Sequence, residues 1–149
     1  MKTFYADKSL KSESVVVNDI LTVTEYASSG LLKAIKTFDT CFNLMHSFND
    51  NPSYVTFHED GDRFVQKWHY YGRLHREDGP AHISERDKFR NAEEYYSYGV
   101  LHRVDGPAQI NVNQTTKKNY VLYYIFGEQK NGNDLLKMIR TYKFRELKK

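Results

Sequence analysis

Two stretches of the 149-residue chain gather side-chain types that catalysts use: His75-Arg76-Glu77-Asp78 and His102-Arg103-Val104-Asp105. A titratable imidazole, a fixed cation and a carboxylate this close together suit proton transfer or the holding of a phosphate. Leu101-His-Arg-Val-Asp105 has the order of a protein-kinase catalytic loop, but no glycine-rich phosphate loop, strand lysine or metal-binding Asp-Phe-Gly accompanies it, which excludes a kinase. A two-histidine phosphoesterase would carry Ser or Thr at a fixed step from each His, and Arg follows each His here. His58, Asp60 and Asp62 lie close enough to suggest a metal, yet the spacing of a twelve-residue calcium loop and its terminal Glu are missing, so a hairpin turn is expected. Cys41, the single cysteine, rules out an internal disulfide and a cysteine-rich zinc site, and its place beside an apolar stripe predicts a buried thiol. No cofactor, metal or catalytic residue is assigned.

The elements that carry the two His-Arg pairs are copies of one another. Trp68 to Ala81 and Tyr95 to Ala108 are identical at nine of fourteen positions, offset by 27 residues, and a truncated third copy begins at Tyr123-Tyr-Ile-Phe-Gly127. Each copy reads as an aromatic strand entering a turn at Gly72, Gly99 or Gly127, with Leu74 and Leu101 returning to the core. Asp-Gly-Pro then makes a second turn, where Asp accepts backbone N–H groups, Gly supplies φ freedom and Pro fixes φ at the start of the next strand. Recurrence within an identical turn favours a scaffold role: Arg76 and Arg103 pairing with Asp78 and Asp105, or with a neighbouring copy's Asp, and His75 and His102 bonding the backbone of the crossing turn.

Residues 54–58 and 63–69, joined by Glu59-Asp-Gly-Asp62, repeat the hairpin grammar upstream, and strands at 81–84 and 108–113 extend it. The expectation is an α+β protein: an antiparallel β-meander of about six strands over residues 54–129, an N-terminal helical segment over 1–53, and a basic C-terminal capping helix over 130–149. Leu31, Ile35, Phe38, Phe42 and Met45 advance at helical spacing from a Ser28 or Ser29 N-cap and end at Asn49 to Pro52. Residues 15–24 read as strand or short helix, with a helix from about Asn18 preferred. At the other end, Asn133 or Asp134 caps a helix with Leu135, Leu136, Ile139 and Tyr142 inward and Lys137, Arg140, Lys143 and Arg145 outward.

The repeats resemble those of MORN-like repeat proteins, whose signature runs aromatic-x-x-Gly-x-Leu-His-Arg-x-Asp-Gly-Pro-Ala; such proteins are common in tailed bacteriophages and some large viruses. The resemblance covers residues 54 to about 147. It implies stacked β-hairpins, the cytoplasm of an infected bacterium, and a small accessory protein that binds and inhibits or redirects a host protein, including a defence factor. It does not bring membrane binding with it.

Net charge is +3, and residues 130–149 alone carry +5, so the basic excess belongs to the terminal helix rather than to a broad basic face. No apolar run approaches the ~18 residues of a membrane span and the N-terminus lacks a secretory h-region, so a soluble intracellular protein is expected. The preferred function is non-enzymatic protein binding through the aromatic strand face around Trp68, Tyr70, Tyr96 and Tyr124. A nucleic-acid-binding regulator using Lys137, Arg140, Lys143 and Arg145 is the alternative, and a small hydrolase using the His-Arg pairs comes third.

Overall fold

Val15-Val16-Val17 and Thr22-Val23-Thr24 are β-branched runs, and between them Asn18 and Asp19 both adopt left-handed backbone, at φ 48° and 61°. That pair is the chemistry of a two-residue hairpin turn, so β2 (Leu10–Val17) folds onto β3 (Ile20–Tyr26). The computed structural model describes residues 1–87, 90–113 and 115–137. β1 (Lys2–Phe4) precedes this hairpin, and β4 (Leu32–Asp39) and β5 (Leu44–Met45) follow it. The repeat region then supplies β6 (Tyr54–Phe57) and β7 (Arg63–Lys67), β8 (His69–Tyr70) and β9 (Arg73–Leu74), β10 (His82–Asp87) and β11 (Arg90–Glu94). β12 (Tyr96–Ser97), β13 (Val100–Leu101), β14 (Gln109–Asn113), β15 (Lys118–Ile125) and β16 (Glu128–Lys130) complete the strands, and residues 132–137 are helical. No described helix is long and apolar enough to cross a membrane.

One antiparallel sheet of twelve strands runs in the order β1-β2-β3-β4-β6-β7-β10-β11-β14-β15-β16, with β5 on β4. The meander expected for residues 54–129 is therefore present, but it is continuous with the N-terminal strands: β4 pairs β6 at Ala34↔Thr56, Ile35↔Val55 and Lys36↔Tyr54. The expected N-terminal helix is absent. Its stripe is divided among β4, a turn and β5, and two of its members, Leu31 and Phe42, are exposed. The helical spacing arose by coincidence where a strand of period two meets a turn. Cys41 lies in that turn and is exposed, so the buried thiol is corrected as well.

Each repeat is a long strand that bends into a short hairpin. Three such hairpins are β8-β9, β12-β13 and the end of β15 with β16, and β4 with β5 forms a fourth at Phe38↔Met45 and Asp39↔Leu44. At the bend the Trp68 N–H donates to Ala81 O and its carbonyl accepts the His75 N–H. Tyr95 does the same with Ala108 and His102. Thr37 does the same with Ser53 and His46, which identifies a further copy of the repeat in residues 37–53. The small residue at the crossing, Ser53, Ala81 or Ala108, is fully buried in every case.

Among the described residues the apolar core is thin, and the large side chains buried in it are few: Val55, Trp68, Ile125 and Leu135. A sheet with so little buried apolar area depends on the accurate stacking of its turns. At Gly99 (φ 90°) an added Cβ would lie 3.7 Å from Arg73 Cβ, whereas at Gly127 (φ 80°) it would lie 2.8 Å from Val100 Cγ1. Gly99→Ala is expected to lose about 1 kcal/mol to backbone strain and Gly127→Ala about 2 to 3 kcal/mol to strain plus clash. Adding Val100→Ala should narrow the gap between the two in chemical denaturation; an unchanged gap would refute the contact.

Candidate functional site: the turn ladder

The two residues at the tip of the β8-β9, β12-β13 and β15-β16 hairpins are an aromatic and a glycine, Tyr71-Gly72, Tyr98-Gly99 and Phe126-Gly127, and all six have positive φ. Glycine takes that conformation freely, but for an aromatic residue it is costly. The cost is offset by the copy before. The N–H of Tyr98 donates to Nδ1 of His75 (3.3 Å), that of Phe126 to His102 (3.1 Å) and that of Tyr71 to His46 (3.3 Å). The imidazole also stacks on the ring it serves for His75–Tyr98 and His102–Phe126, with centroids 4.2 Å apart, and meets it tilted at 4.5 Å for His46–Tyr71. Each glycine N–H then donates to the residue before that histidine: Gly72 to Met45 O, Gly99 to Leu74 O and Gly127 to Leu101 O. The histidines thus bond the crossing turn, as expected, and His46 is the first rung.

The arginines lie beneath the second turn. Arg76 covers Trp68 with its guanidinium carbon 4.0 Å from the ring centroid, and Arg103 covers Tyr95 at 3.9 Å. An added Cβ on Gly79 would stand 3.1 Å from Arg76 Nη1, and one on Gly106 3.1 Å from Arg103 Cζ. The glycine of Asp-Gly-Pro is thus needed because the guanidinium is sandwiched between an aromatic ring and that backbone. The first copy confirms the logic: Ser47 replaces Arg, Thr37 replaces the aromatic, and Asn51 replaces the glycine.

Both pairing schemes expected for the arginines occur. Arg76 reaches the previous copy, forking Asp50 through Nε (2.8 Å) and Nη2 (2.6 Å), while Arg103 bonds Asp105 of its own copy through Nε (2.8 Å). The facing guanidinium holds each of those carboxyls below the usual range. Asp78, expected to share in this pairing, is exposed and takes no ion pair among the described residues.

Below the ladder, Glu94 accepts from Gln109 Nε2 (2.9 Å) and Tyr96 Oη (3.2 Å) and pairs with His82 Nδ1 (2.9 Å). The His82 bond foremost holds the Glu94 carboxyl low, while burial and then Glu94 push the Tyr96 hydroxyl up to about 12. His69 Nδ1 meets the Oγ of Ser53 at 2.8 Å. Burial, with Lys67 and His82 adding to it, brings the His69 imidazole down to about 4. Such a Ser-His contact could serve nucleophilic chemistry only with an accessible serine, and Ser53 is fully buried.

Of the four aromatics expected to form a binding face, Tyr70 is exposed, Tyr96 and Tyr124 are half-buried and Trp68 is buried under Arg76, its Nε1 donating to Asp50 O. The exposed aromatic row is instead Phe42, Tyr71, Tyr98 and Phe126, one per copy. Lys137 is exposed on the terminal helix, and Arg140, Lys143 and Arg145 lie outside the described residues. Among the described residues no three His, Cys, Asp or Glu side chains gather to hold a metal; His58 packs on Phe64 in its hairpin.

Gly106→Ala should lose about 1 kcal/mol in the natural sequence but become neutral or stabilising beside Arg103→Ser, a coupling that a double-mutant cycle in urea measures. Acid supplies a second test. The folded chain keeps His69 neutral down to about pH 4, whereas the unfolded chain protonates it near 6.5. His102 is lowered in the same sense by burial. Protons therefore favour unfolding as the pH falls through that window, and the paired carboxylates add to the loss only at lower pH. Tm should fall between pH 7 and pH 4.5, and a flat profile would contradict the buried neutral imidazole. In comparisons with protein-family models, curated proteins and solved structures, no match to the chain was found.

Proposed function

We propose that the protein is a non-enzymatic binding module whose contact surface is the row of hairpin-tip aromatics. The observation that carries this reading is their repetition with exposure: Tyr71 is 37%, Tyr98 52% and Phe126 67% accessible at one structural position in successive copies, and Phe42, 65% accessible in the β4–β5 turn, meets Tyr71 and extends the row. Tyr70 bridges the row, with ring contacts to Tyr71 and Tyr98. Aromatic side chains present a large area with little rotamer entropy to lose, which suits the centre of a protein interface. The His and Arg groups that suggested catalysis are engaged in the scaffold. Nδ1 of each ladder histidine accepts a backbone N–H, and the Arg76 fork is closed on Asp50. In the setting that the MORN-like resemblance implies, the partner is a host protein that the module inhibits or redirects.

Tyr98→Ser combined with Phe126→Ser is expected to reduce capture of a host protein from lysate at least about tenfold. Phe4→Ser, exposed on the edge strand β1, should leave capture intact. Recovery of nucleic acid in place of protein, or equal capture by the double variant, would overturn the reading.

A further inference from the structure

Two grooves lie beside the aromatic row, and they are repeats of each other. The first, of about 390 Å³, is lined among others by Ser47, Trp68, His69, Tyr70, His75 and Tyr98. The second, of about 620 Å³, is lined by the corresponding positions of the next copy, including His75, Tyr95, Tyr96, Ser97 and His102. Arg76, Glu77 and Asp78 form the wall common to both.

The polar character of this surface is one-sided. Because Nδ1 of His75 and of His102 accepts a backbone N–H, the neutral ring carries its proton on Nε2, a donor given no partner by the described protein atoms. One such donor therefore recurs in each copy. Tyr70, Tyr98 and Ser97 add hydroxyls to the groove walls. The shared wall carries charge of one sign, since Arg76 is neutralised by Asp50 while the carboxylates of Glu77 and Asp78 are exposed and take no ion pair among the described residues.

The spacing selects among ligands. Successive copies are two strands apart in the sheet, because β7, β11 and β15 alternate with β10 and β14. At about 4.8 Å per strand the donors and aromatics recur roughly every 9.6 Å. A polyproline II helix has three residues per turn and rises about 3.1 Å per residue, so it repeats roughly every 9.3 Å. Its carbonyls are all unpaired and proline has no N–H, so its acceptors meet a surface of donors and its rings pack on aromatic faces. An extended strand repeats its side-chain direction about every 6.7 Å and would fall out of step within one copy.

The geometry points to a proline-rich segment in polyproline II conformation that carries a basic residue, as the ligand of the paired grooves, its axis along the array and its cation on Glu77 and Asp78. This rests on the protein-binding reading and specifies the segment of the partner that is recognised.

Acetylated (Pro-Pro-Arg)4 titrated against the full chain by fluorescence anisotropy is expected to bind saturably. (Gly-Ser-Arg)4, with the same charge but no polyproline structure, and (Pro-Pro-Glu)4, with the structure but the opposite charge, should each bind at least about tenfold more weakly. Glu77→Gln with Asp78→Asn, both exposed, should erase the preference for Arg over Glu peptides while leaving the thermal melt unchanged. Equal binding of (Gly-Ser-Arg)4 and (Pro-Pro-Arg)4, or no saturable binding of the latter, would overturn the ligand class. If that happens while the Tyr98→Ser/Phe126→Ser variant still loses its host protein, the protein-binding reading survives on its own.

Discussion

A hydrogen bond from the N–H of an aromatic residue in left-handed conformation to a histidine of the preceding copy recurs three times, and the rest of the short-hairpin layer is arranged around it. An aromatic residue at positive φ would relax to an extended conformation if left to itself. Three constraints hold it: the imidazole accepts its N–H, the same ring stacks on its side chain, and the glycine after it bonds the carbonyl before the histidine. Every copy is thereby completed by the one before it. The register of the hairpins is passed along the array one nearest-neighbour contact at a time.

Arginine performs a parallel task at the other turn, and its demands propagate to three positions of each copy. A guanidinium flat on Trp68 or Tyr95 leaves no room for a side chain on Gly79 or Gly106. Without the arginine, all three positions are released together, as Thr37, Ser47 and Asn51 demonstrate within the same chain. The loss has a compensation, because Asp50 of that copy is free to accept the fork of Arg76. The same position in the next copy, Asp78, receives no such fork, because Arg103 turns to Asp105. An acidic wall between the two grooves is the consequence.

The hairpin grammar of residues 54–129 and the turn contacts of the two histidines and two arginines were legible because near-identical copies restrict each residue to a place that works in every copy. The first copy was also written in the chain, as Phe42-Asn43, then Met45-His46, then Asp50-Asn51-Pro52-Ser53. It was obscured by one extra residue between His and Asp, by the missing arginine with its aromatic and glycine, and by apolar spacings that imitate a helix. The pattern of aromatic exposure was hidden for a different reason. Trp68 and Tyr70 are two apart in sequence and look equivalent, but the chain bends at Trp68, so the tryptophan is buried while Tyr70 reaches solvent. Alternation along a strand does not survive such a bend.

The array also contains its own end. In the last short hairpin, Gln129 and Lys130 occupy the positions that Leu74-His75 and Leu101-His102 hold in earlier copies. Lys130 offers no acceptor to a further aromatic turn and bonds Glu128 instead. Leu135 from the terminal helix is buried, so apolar contact takes over where the polar ladder stops. A repeat protein needs a terminal unit that cannot recruit another copy of itself, and replacing the histidine removes that capacity with a single side chain. At the opposite end β1 to β3 add sheet without a short hairpin, so the ladder begins at His46 because no earlier copy presents an imidazole to Phe42. Phe42 accordingly lacks the histidine stack of its counterparts and meets Tyr71 edge-on at 5.2 Å. The aromatic row is thus bounded by chemistry at both ends, and every member after Phe42 is held by the histidine of the copy before it.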